Sequence, residues 1–284
     1  MNEGAHDARI GVAAEVPPQR AVTLYVASHD ATLGGDYPAH RWVYCGAAAH
    51  QRPTSLTDIL ADGSRLENRR WSELSALYRV WKEGPRSDIV GLCHYRRFFS
   101  LNGEHANVLQ VQRSQLAALI PSDVEERFRL MIDSRTIAVA KRWRFDESVF
   151  QQYRKSHHAD DYLRAMAICC RKHPQLAPFI AHQFWFRKIV PFNMFVMTWE
   201  NFEEICRIWF GTLQAFASKT PWPRENVYQS RDAAFLAERI FDAWVKYKAF
   251  RGATIRYLPV YFVTAEDRPG LPPSTPSSGA AVVG

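Results

Sequence analysis

The sequence predicts an α/β fold in which helices flank a mostly parallel sheet. Short apolar runs typical of buried strands occur at residues 21–27, 88–93 and 136–140. Amphipathic helical patterns lie between or after them, at 64–83 and 200–217 among others. Strands that alternate with helices form layered α/β domains with parallel sheets. Hydrophobic residues make up 47% of the 284 residues, which is enough for the large core of a soluble globular domain.

The first part of the chain predicts a strand–helix–strand unit. After the first strand, a second short strand is expected at 41–45. Ser64 and Glu67 have the S-x-x-E spacing of a capping box, which predicts the start of a helix. Gly84 is expected to end that helix, and the strand at 88–93 completes the unit.

The rest of the chain predicts further strands and helices. Region 105–135 is expected to be mostly helical and peripheral, and a helical insert is expected at 146–188, broken at Pro174 and Pro178. The other predicted elements are strands at 136–140, 190–199 and 255–263, and helices at 200–217 and 232–248.

These elements form one predicted domain over residues 21–263. Residues 1–20 are expected to be a disordered leader and residues 264–284 a disordered tail, because neither has an apolar period. No stretch has the roughly 20 apolar residues of a membrane span, and no signal peptide is recognisable. The five cysteines form no C-x-x-C motif, which is typical of a reducing compartment. We therefore expect a cytoplasmic protein.

The net charge of +7 restricts the partners. A basic balance is compatible with nucleic acid, an anionic membrane face or a phosphorylated small substrate. The basic residues are scattered and mostly Arg, without a Lys/Arg run. Arginine in this pattern favours fixed recognition of phosphate over a loose polycation.

The stretch I-V-G-L-C-H-Y-R-R-F-F at 89–99 is the strongest candidate for a site. Its apolar half predicts a buried strand, and His94, Tyr95, Arg96 and Arg97 follow it. Open α/β sheets bind ligands beyond the carboxyl ends of their strands. Both arginines serve one site only if the strand ends by Arg96, since strand side chains alternate. The alternative is that the arginines are solvated edge residues.

Two polar residues on the first predicted helix have two interpretations. Asn68 and Glu73 lie in its first turns. Glu73 can form an ion pair with Arg69 or Arg70 one turn back. Alternatively, Glu73 faces the site and orients His94 or an arginine.

Further polar residues stand at strand ends or interrupt apolar segments. Ser28 and His29 follow the first strand, and Asn193 interrupts the apolar segment at 190–199. A buried amide must be hydrogen-bonded, so Asn193 either binds a neighbouring loop or contacts substrate.

The predicted helix at 232–248 has polar residues at and near its start. Arg231 and Asp232 stand at its N-terminus, where anions are favoured, and Asp232 is either a cap or a reactive carboxylate. Glu238 is either half of a buried ion pair or a free base.

Four segments together resemble a known bacterial family. They are E-L-S-A-L-Y-R-V-W-K at 73–82, G-L-C-H-Y-R-R-F-F at 91–99, N-M-F-V-M at 193–197 and F-L-A-E-R at 235–239. The family is a domain of unknown function found in capsule, exopolysaccharide and O-antigen gene clusters, and H-Y-R-R-F is its most specific motif. The chain departs from it at Ser75, where Thr is usual, and at Ala234, where Gly is usual.

The resemblance implies a glycosyltransferase with a GT-A-like, Rossmann-like fold, and one branch of the family is associated with galactofuranosyl transfer from a UDP sugar. It implies a nucleotide-sugar donor, a glycan or lipid-linked glycan acceptor, peripheral contact with the inner membrane face at most, and no nucleic acid. The donor sugar, acceptor, linkage and stereochemistry stay open. The rival interpretations are a single-stranded nucleic-acid-binding protein and a non-catalytic member of a polysaccharide assembly complex.

The residue types then predict roles at the shared motif positions. Cationic side chains can bind a diphosphate, and a carboxylate can act as the general base of an inverting reaction. We predict Glu238 as base, with Asp232 as second choice. The predicted donor-binding residues are Ser28, His29, His94, Arg96, Arg97 and Arg231. The predicted substrate-binding or orienting residues are Asn68, Glu73, Tyr95 and Asn193.

The sequence predicts neither a metal nor a cofactor. It contains no D-x-D, the carboxylate pair that holds a divalent metal in many nucleotide-sugar transferases. Fixed guanidiniums can stabilise a leaving diphosphate instead. The pair His157-His158 before Asp160-Asp161 lacks i, i+4 ligand spacing and is interpreted as a helix cap.

Overall fold

The computed structural model describes residues 20–103 and 105–264. Apart from Arg20 and Thr264, the predicted leader and tail lie outside the described residues. None of the helices described is long and apolar enough to cross a membrane.

Eleven strands are present in the described part of the chain. Nine form one sheet, and β7 and β8 pair only with each other. The strands are β1 (Val22–Ser28), β2 (His40–Tyr44), β3 (Ile89–His94), β4 (Arg97–Phe99), β5 (Val108–Gln112), β6 (Thr136–Ala140), β7 (Trp143–Arg144), β8 (Lys188–Ile189), β9 (Phe195–Thr198), β10 (Thr254–Leu258) and β11 (Val260–Thr264).

Seven of the nine strands of the large sheet run in one direction. β1 is parallel to β2 and β3, β6 to β10, and β5 to β11. β9 runs antiparallel between β3 and β6, and β4 turns back from β3. The carboxyl ends of β1 and β3 and the amino end of β9 therefore meet at one edge of the sheet, where the candidate site lies. The prediction of a mostly parallel sheet is confirmed.

Helices cover both faces of this sheet. They are α1 (Ala47–Gln51), α2 (Asn68–Trp71), α3 (Glu73–Glu83), α4 (Arg113–Leu119), α5 (Val124–Met131), α6 (Val149–Ser156), α7 (Ala159–Lys172), α8 (Ala177–Ala181), α9 (Trp199–Ala217) and α10 (Asp232–Phe250). Helices α3, α7, α9 and α10 belong to the larger hydrophobic cluster, and α4 and α5 to the smaller one.

The sheet is buried on both faces because successive strand side chains point to opposite sides. Leu92 and Val139 belong to the larger cluster, while their neighbours Cys93 and Ala140 belong to the smaller one. A strand buried on both faces is apolar throughout, which is why these strands could be predicted as continuous runs.

The predicted capping box at the first long helix is wrong. The helical segment begins at Asn68, and the side chain of Glu67 accepts a hydrogen bond from the amide of Arg69. Ser72, with φ of 48°, then separates α2 from α3. Gly84 caps the end of α3, as predicted.

Two predicted strands are interrupted. The segment at 190–199 becomes a strand only at Phe195, because Phe192 and Asn193 have left-handed φ values of 74° and 54°. The segment at 255–263 is divided into β10 and β11 at Pro259, which has no amide hydrogen for a strand ladder.

The two regions that were predicted to be helical also differ in detail from those predictions. Region 105–135 contains β5 besides α4 and α5. Region 146–188 contains α6, α7 and α8, with the first break at His157 and the second at Pro174. Pro178 lies at the start of α8, where its missing amide hydrogen is tolerated, and does not break a helix.

Candidate functional site

A tight hairpin between β3 and β4 forms the centre of the site. His94 ends β3 and pairs with Arg97, the first residue of β4. Tyr95 and Arg96 form the turn between them, and Arg113 Nη2 donates a hydrogen bond to the Tyr95 carbonyl at 2.6 Å. Because the strand ends before Arg96, the condition for both arginines to serve one site is met.

An open cleft of about 350 Å³ lies at the carboxyl ends of β1 and β3. Every predicted donor-binding residue lines it, and so do all the predicted orienting residues except Asn193. The full lining is Ala27, Ser28, His29, Cys45, Asn68, Arg69, Ser72, Glu73, His94, Tyr95, Arg96, Arg97, Val227 and Arg231.

The cleft is cationic, and its guanidiniums are held in place. The Arg96 guanidinium lies 5.1 Å from the centre of the Tyr95 ring, and the Arg97 guanidinium lies 4.4 Å from that of Phe192. Arg231 Nε donates to Ser72 Oγ at 3.1 Å. Burial lowers the pKa of Arg97 to about 10, which still leaves it charged at neutral pH. Cations fixed before a ligand arrives suit an anionic group.

His94 is a neutral, buried residue in this wall. Its Nε2 lies 3.0 Å from the Phe192 carbonyl, and its Nδ1 lies 3.5 Å from Arg97 Nη1. Burial, together with the Arg97 charge, lowers its pKa to about 3. The imidazole therefore donates from Nε2 and accepts at Nδ1, and it positions Arg97 without adding charge.

A smaller cavity of about 70 Å³ adjoins the cleft. Its lining combines aromatic rings with polar groups from helices α3, α6 and α10, from the β3–β4 hairpin and from the loop before β9. The lining is Glu73, His94, Arg97, Trp143, Phe145, Gln152, His157, Ile189, Pro191, Phe192, Asn193, Arg231, Ala234, Phe235, Glu238 and Arg239. Glu73, His94, Arg97 and Arg231 line both spaces and form the shared wall.

Asn193 holds Glu73 in the shared wall. Its Nδ2 donates to Glu73 Oε1 at 2.7 Å, so Glu73 faces the site, while Arg70 is bound elsewhere. Asn193 is 2% exposed, and its Oδ1 accepts no hydrogen bond within the described chain. A buried carbonyl oxygen of this kind needs a donor, which a ligand in the cavity would supply.

Both carboxylate oxygens of Glu238 are already hydrogen-bonded. The Phe192 amide donates to Oε1 at 2.7 Å, and Arg239 Nη1 donates to Oε2 at 2.5 Å. Arg239 also donates to Gln152 Oε1 at 2.6 Å. The carboxylate of Glu238 therefore lines the cavity as part of a network that holds the loop before β9.

Asp232 lies outside both spaces and is held in an ion pair. Arg70 binds it through Nε at 2.8 Å and Nη2 at 3.0 Å, and Arg224 lies 3.6 Å away. Asp232 is buried and lines neither the cleft nor the cavity. Asp232, predicted from the sequence as the second-choice catalytic residue, forms an ion pair that joins α2 to the start of α10.

A family model described as "Domain of unknown function (DUF4422)" matches residues 23–249. The chain belongs to the DUF4422 family. The resemblance seen in the sequence is confirmed to that extent, and the link to galactofuranosyl transfer stays a prediction. A search of curated proteins found no match.

The fold of this DUF4422 chain is similar to a solved structure described as the apo form of WbbM, a bifunctional glycosyltransferase. The TM-score is 0.73 at 21% sequence identity, over 90% of this chain and 48% of that chain. The chain thus spans about half the length of that protein. The likeness confirms the predicted α/β, GT-A-like fold.

Several site residues of this DUF4422 chain escaped the sequence interpretation. Gln152 lies on α6, the first helix after β7, and His157 follows the end of that helix. His157 stacks on Phe235 with ring centres 3.9 Å apart, while His158 lies outside the cavity and binds Glu225. Burial lowers the pKa of His157 to about 3. No cluster of metal-ligating side chains occurs among the residues described.

Proposed function

We propose that this DUF4422 domain is a glycosyltransferase that moves a sugar from a nucleotide-diphosphate donor to a glycan acceptor. The observation that carries the proposal is the pair of adjoining spaces with a shared wall, one cationic and open, the other aromatic and small. The similarity of the fold to WbbM, which is described as a bifunctional glycosyltransferase, supports it. The family resemblance makes UDP-galactofuranose the first donor to test, and capsule, exopolysaccharide or O-antigen synthesis the first pathways.

The cleft is the proposed donor site. A diphosphate bound at the carboxyl ends of β1 and β3 would lie against Arg96, Arg97 and Arg231. Negative charge develops on the diphosphate as the bond between the sugar C1 and the phosphate oxygen breaks. Guanidiniums that are already held in place stabilise that charge without reorganisation.

The cavity is the proposed acceptor site. Trp143, Phe145, Phe192 and Phe235 offer ring surfaces to the apolar faces of a sugar, and Asn193 Oδ1 offers an acceptor to a sugar hydroxyl. Sites of this kind combine apolar walls with a few placed polar groups.

The shared wall supports Glu73 as the proton acceptor. The acceptor hydroxyl must meet the donor C1 where the two spaces join, and Glu73 is the acid among the four residues there. In the proposed step, Glu73 takes the hydroxyl proton and the acceptor oxygen bonds to C1. The bond from C1 to the diphosphate oxygen breaks, and its electron pair leaves with the diphosphate. Glu238, our sequence-based first choice, becomes a positioning residue.

The test of the proposal measures ligand binding and reaction on the purified protein. Thermal unfolding is followed with UDP, several UDP sugars and single-stranded RNA, because a ligand of the native state raises stability by mass action. A matching UDP sugar is expected to raise the melting temperature and to be hydrolysed or transferred. A shift with RNA alone would favour the nucleic-acid interpretation, and a shift with UDP sugars but no turnover would favour a non-catalytic subunit.

The two arginines of the hairpin are expected to differ when they are removed. Arg96→Ala should weaken UDP-sugar binding by about 1.5–3 kcal/mol, the value of a charge-assisted hydrogen bond, with little change in melting temperature because Arg96 is half-buried. Arg97→Ala should lower both the affinity for the UDP sugar and the melting temperature, because Arg97 is buried against Phe192.

A matched control for Arg96 exists outside the site. Arg142 lies over the Tyr257 ring at 4.5 Å and lines neither space, so Arg142→Ala removes the same kind of contact. Binding is measured by calorimetry. Equal donor affinity in Arg96→Ala and Arg142→Ala would show that Arg96 does not contact the donor.

We propose that the transfer needs no divalent metal. Glu73 is the only carboxylate that lines the described cleft, and the guanidiniums beside it would repel a bound cation. Activity is therefore expected to survive EDTA treatment and to change little when Mg²⁺ or Mn²⁺ is added. Activity that EDTA abolishes and Mn²⁺ restores would contradict this expectation.

A further inference from the structure

Two buried polar atoms in the lining of the cavity have no hydrogen-bond partner within the described chain. They are Asn193 Oδ1, in the loop before β9, and His157 Nδ1, just after α6. Asn193 is 2% exposed and His157 is 9% exposed, so water outside the protein does not reach them freely. A buried polar atom without a partner costs stability, and each one therefore points to a ligand group that supplies the missing bond.

The imidazole of His157 is an acceptor at Nδ1. Burial lowers its pKa to about 3, so the ring is neutral and carries one N–H. A hydrogen bond with the Gln229 side chain acts in the raising direction on this pKa, which means that Gln229 accepts from the ring. The Gln229 amide nitrogen is already used, because it donates to the Ser156 carbonyl at 2.8 Å. Since Nδ1 has no partner, the N–H is on Nε2 and Nδ1 keeps a free lone pair.

Both acceptor atoms are fixed in position. The ring of His157 stacks on Phe235, which lines the same cavity, with ring centres 3.9 Å apart. The amide of Asn193 is held through its nitrogen, which donates to Glu73 Oε1 at 2.7 Å. The cavity therefore presents two placed lone pairs from two separate segments of the chain.

Hydroxyl groups match this arrangement better than other sugar substituents. Carboxylate and carbonyl oxygens have no proton to donate to either atom, whereas a hydroxyl donates and also accepts. Arg239 Nε, a buried donor without a partner in the described chain, lines the same cavity and can donate to a hydroxyl oxygen. Three arginines and two glutamates line the cavity, and this positive excess disfavours an ammonium group.

We propose that the cavity selects its sugar by two free hydroxyl groups, one that donates to Asn193 Oδ1 and one that donates to His157 Nδ1. The identity of this sugar as the acceptor rests on the proposed function. A sugar that lacks either hydroxyl leaves a buried acceptor atom unpaired. Sites that bind a substrate hydroxyl reject the analogue without it more strongly than apolar pockets reject a change in size. His157 is thus a specificity-determining residue.

The test measures the binding of methyl hexopyranosides to the full chain by saturation-transfer NMR, without a donor. The probes are the methyl glycosides of glucose, galactose and mannose. For the one that binds best, each hydroxyl in turn is replaced by fluorine, which cannot donate a hydrogen bond. Fluorine at two of the ring positions is expected to weaken binding about 5–150-fold each, the effect of leaving a buried acceptor unpaired. Fluorine at the other positions should have little effect.

His157→Phe assigns one of the two positions. Phenylalanine keeps a ring against Phe235 but has no nitrogen, so discrimination between hydroxyl and fluorine should disappear at one position and persist at the other. The matched control is His182→Phe, because His182 stacks on Phe186 with ring centres 4.2 Å apart and lines neither space. This control should keep discrimination at both positions. Melting temperatures with and without a UDP sugar verify that both variants keep their fold and donor site.

Three results would overturn the inference. They are the absence of binding by all three glycosides, equal binding of every fluorinated analogue, and an unchanged pattern of discrimination in His157→Phe. Failure of the proposed function is distinguishable, because the binding assay requires neither donor nor turnover. The expected pattern without sugar transfer would keep the sugar site and remove the reaction, whereas transfer without the pattern would do the reverse.

Discussion

Replacement of Glu73 by glutamine is expected to slow sugar transfer about 10²–10⁴-fold, the usual effect of losing a general base. Glutamine keeps an oxygen that can accept the hydrogen bond from Asn193, but it cannot take a proton from the acceptor hydroxyl. The affinity for the donor should change little. The measurements are single-turnover transfer rates and donor dissociation constants for both proteins.

Glu238→Gln is the matched comparison for Glu73→Gln. The carboxylate of Glu238 already accepts hydrogen bonds from the Phe192 amide and Arg239, so its loss should loosen the loop and reduce the rate less. The product should have the anomeric configuration opposite to that of the donor. A larger loss in Glu238→Gln, or a product with retained configuration, would contradict the role of Glu73.

Asp232→Asn is expected to lower the free energy of unfolding by about 3–5 kcal/mol, the cost of breaking a buried ion pair on one side. Arg70 would be left buried beside a neutral amide, the carbonyl of Ala217 and the ring of Phe216, with no negative charge to balance its own among these partners. The fraction that remains folded should keep its transfer rate. Denaturant unfolding and activity per folded molecule are the two measurements.

An exposed ion pair supplies the control for Asp232. Asp123 binds Arg127 at the same 2.8 Å but is largely exposed, and exposed pairs contribute about 0–1 kcal/mol. Asp123→Asn should therefore barely change stability. If Asp232→Asn were as stable as the wild type and inactive, Asp232 would be a catalytic residue after all.

The strands were predictable where both faces of the sheet are buried, as at β6, because burial on both faces makes the run apolar throughout. The same rule failed at 190–199. Pro191 and Phe192 are apolar because they line a cavity, and Phe192 has a left-handed backbone that ends the extended run. An apolar run in the sequence indicates that its side chains are buried, but it does not distinguish a strand from the wall of a cavity.

The residues that line the cationic cleft were predictable to lie together because the carboxyl ends of parallel strands meet at one edge of a sheet. The contact between Gln152 and Arg239 was not predictable. The packing of α6 against α10 brings the two residues together, and no spacing in the sequence indicates that packing. One signal could have separated the two candidate bases. Asp232 and Glu238 are six residues apart, which places them about 120° apart on a helix, so they could not both face one cavity.

Phe192 and Asn193 place two successive residues in the left-handed region at the wall of the site. For a residue other than glycine this backbone costs about 1–2 kcal/mol, more for Phe than for Asn. The Phe192 amide binds Glu238, its carbonyl binds His94 and its ring lies against Arg97. A Phe192→Gly substitution would remove the cost of the left-handed backbone, and it would also remove the ring that contacts Arg97. Selection for heat resistance alone would therefore favour a change that loosens a cation of the proposed donor cleft, so stability and the proposed activity compete at this position.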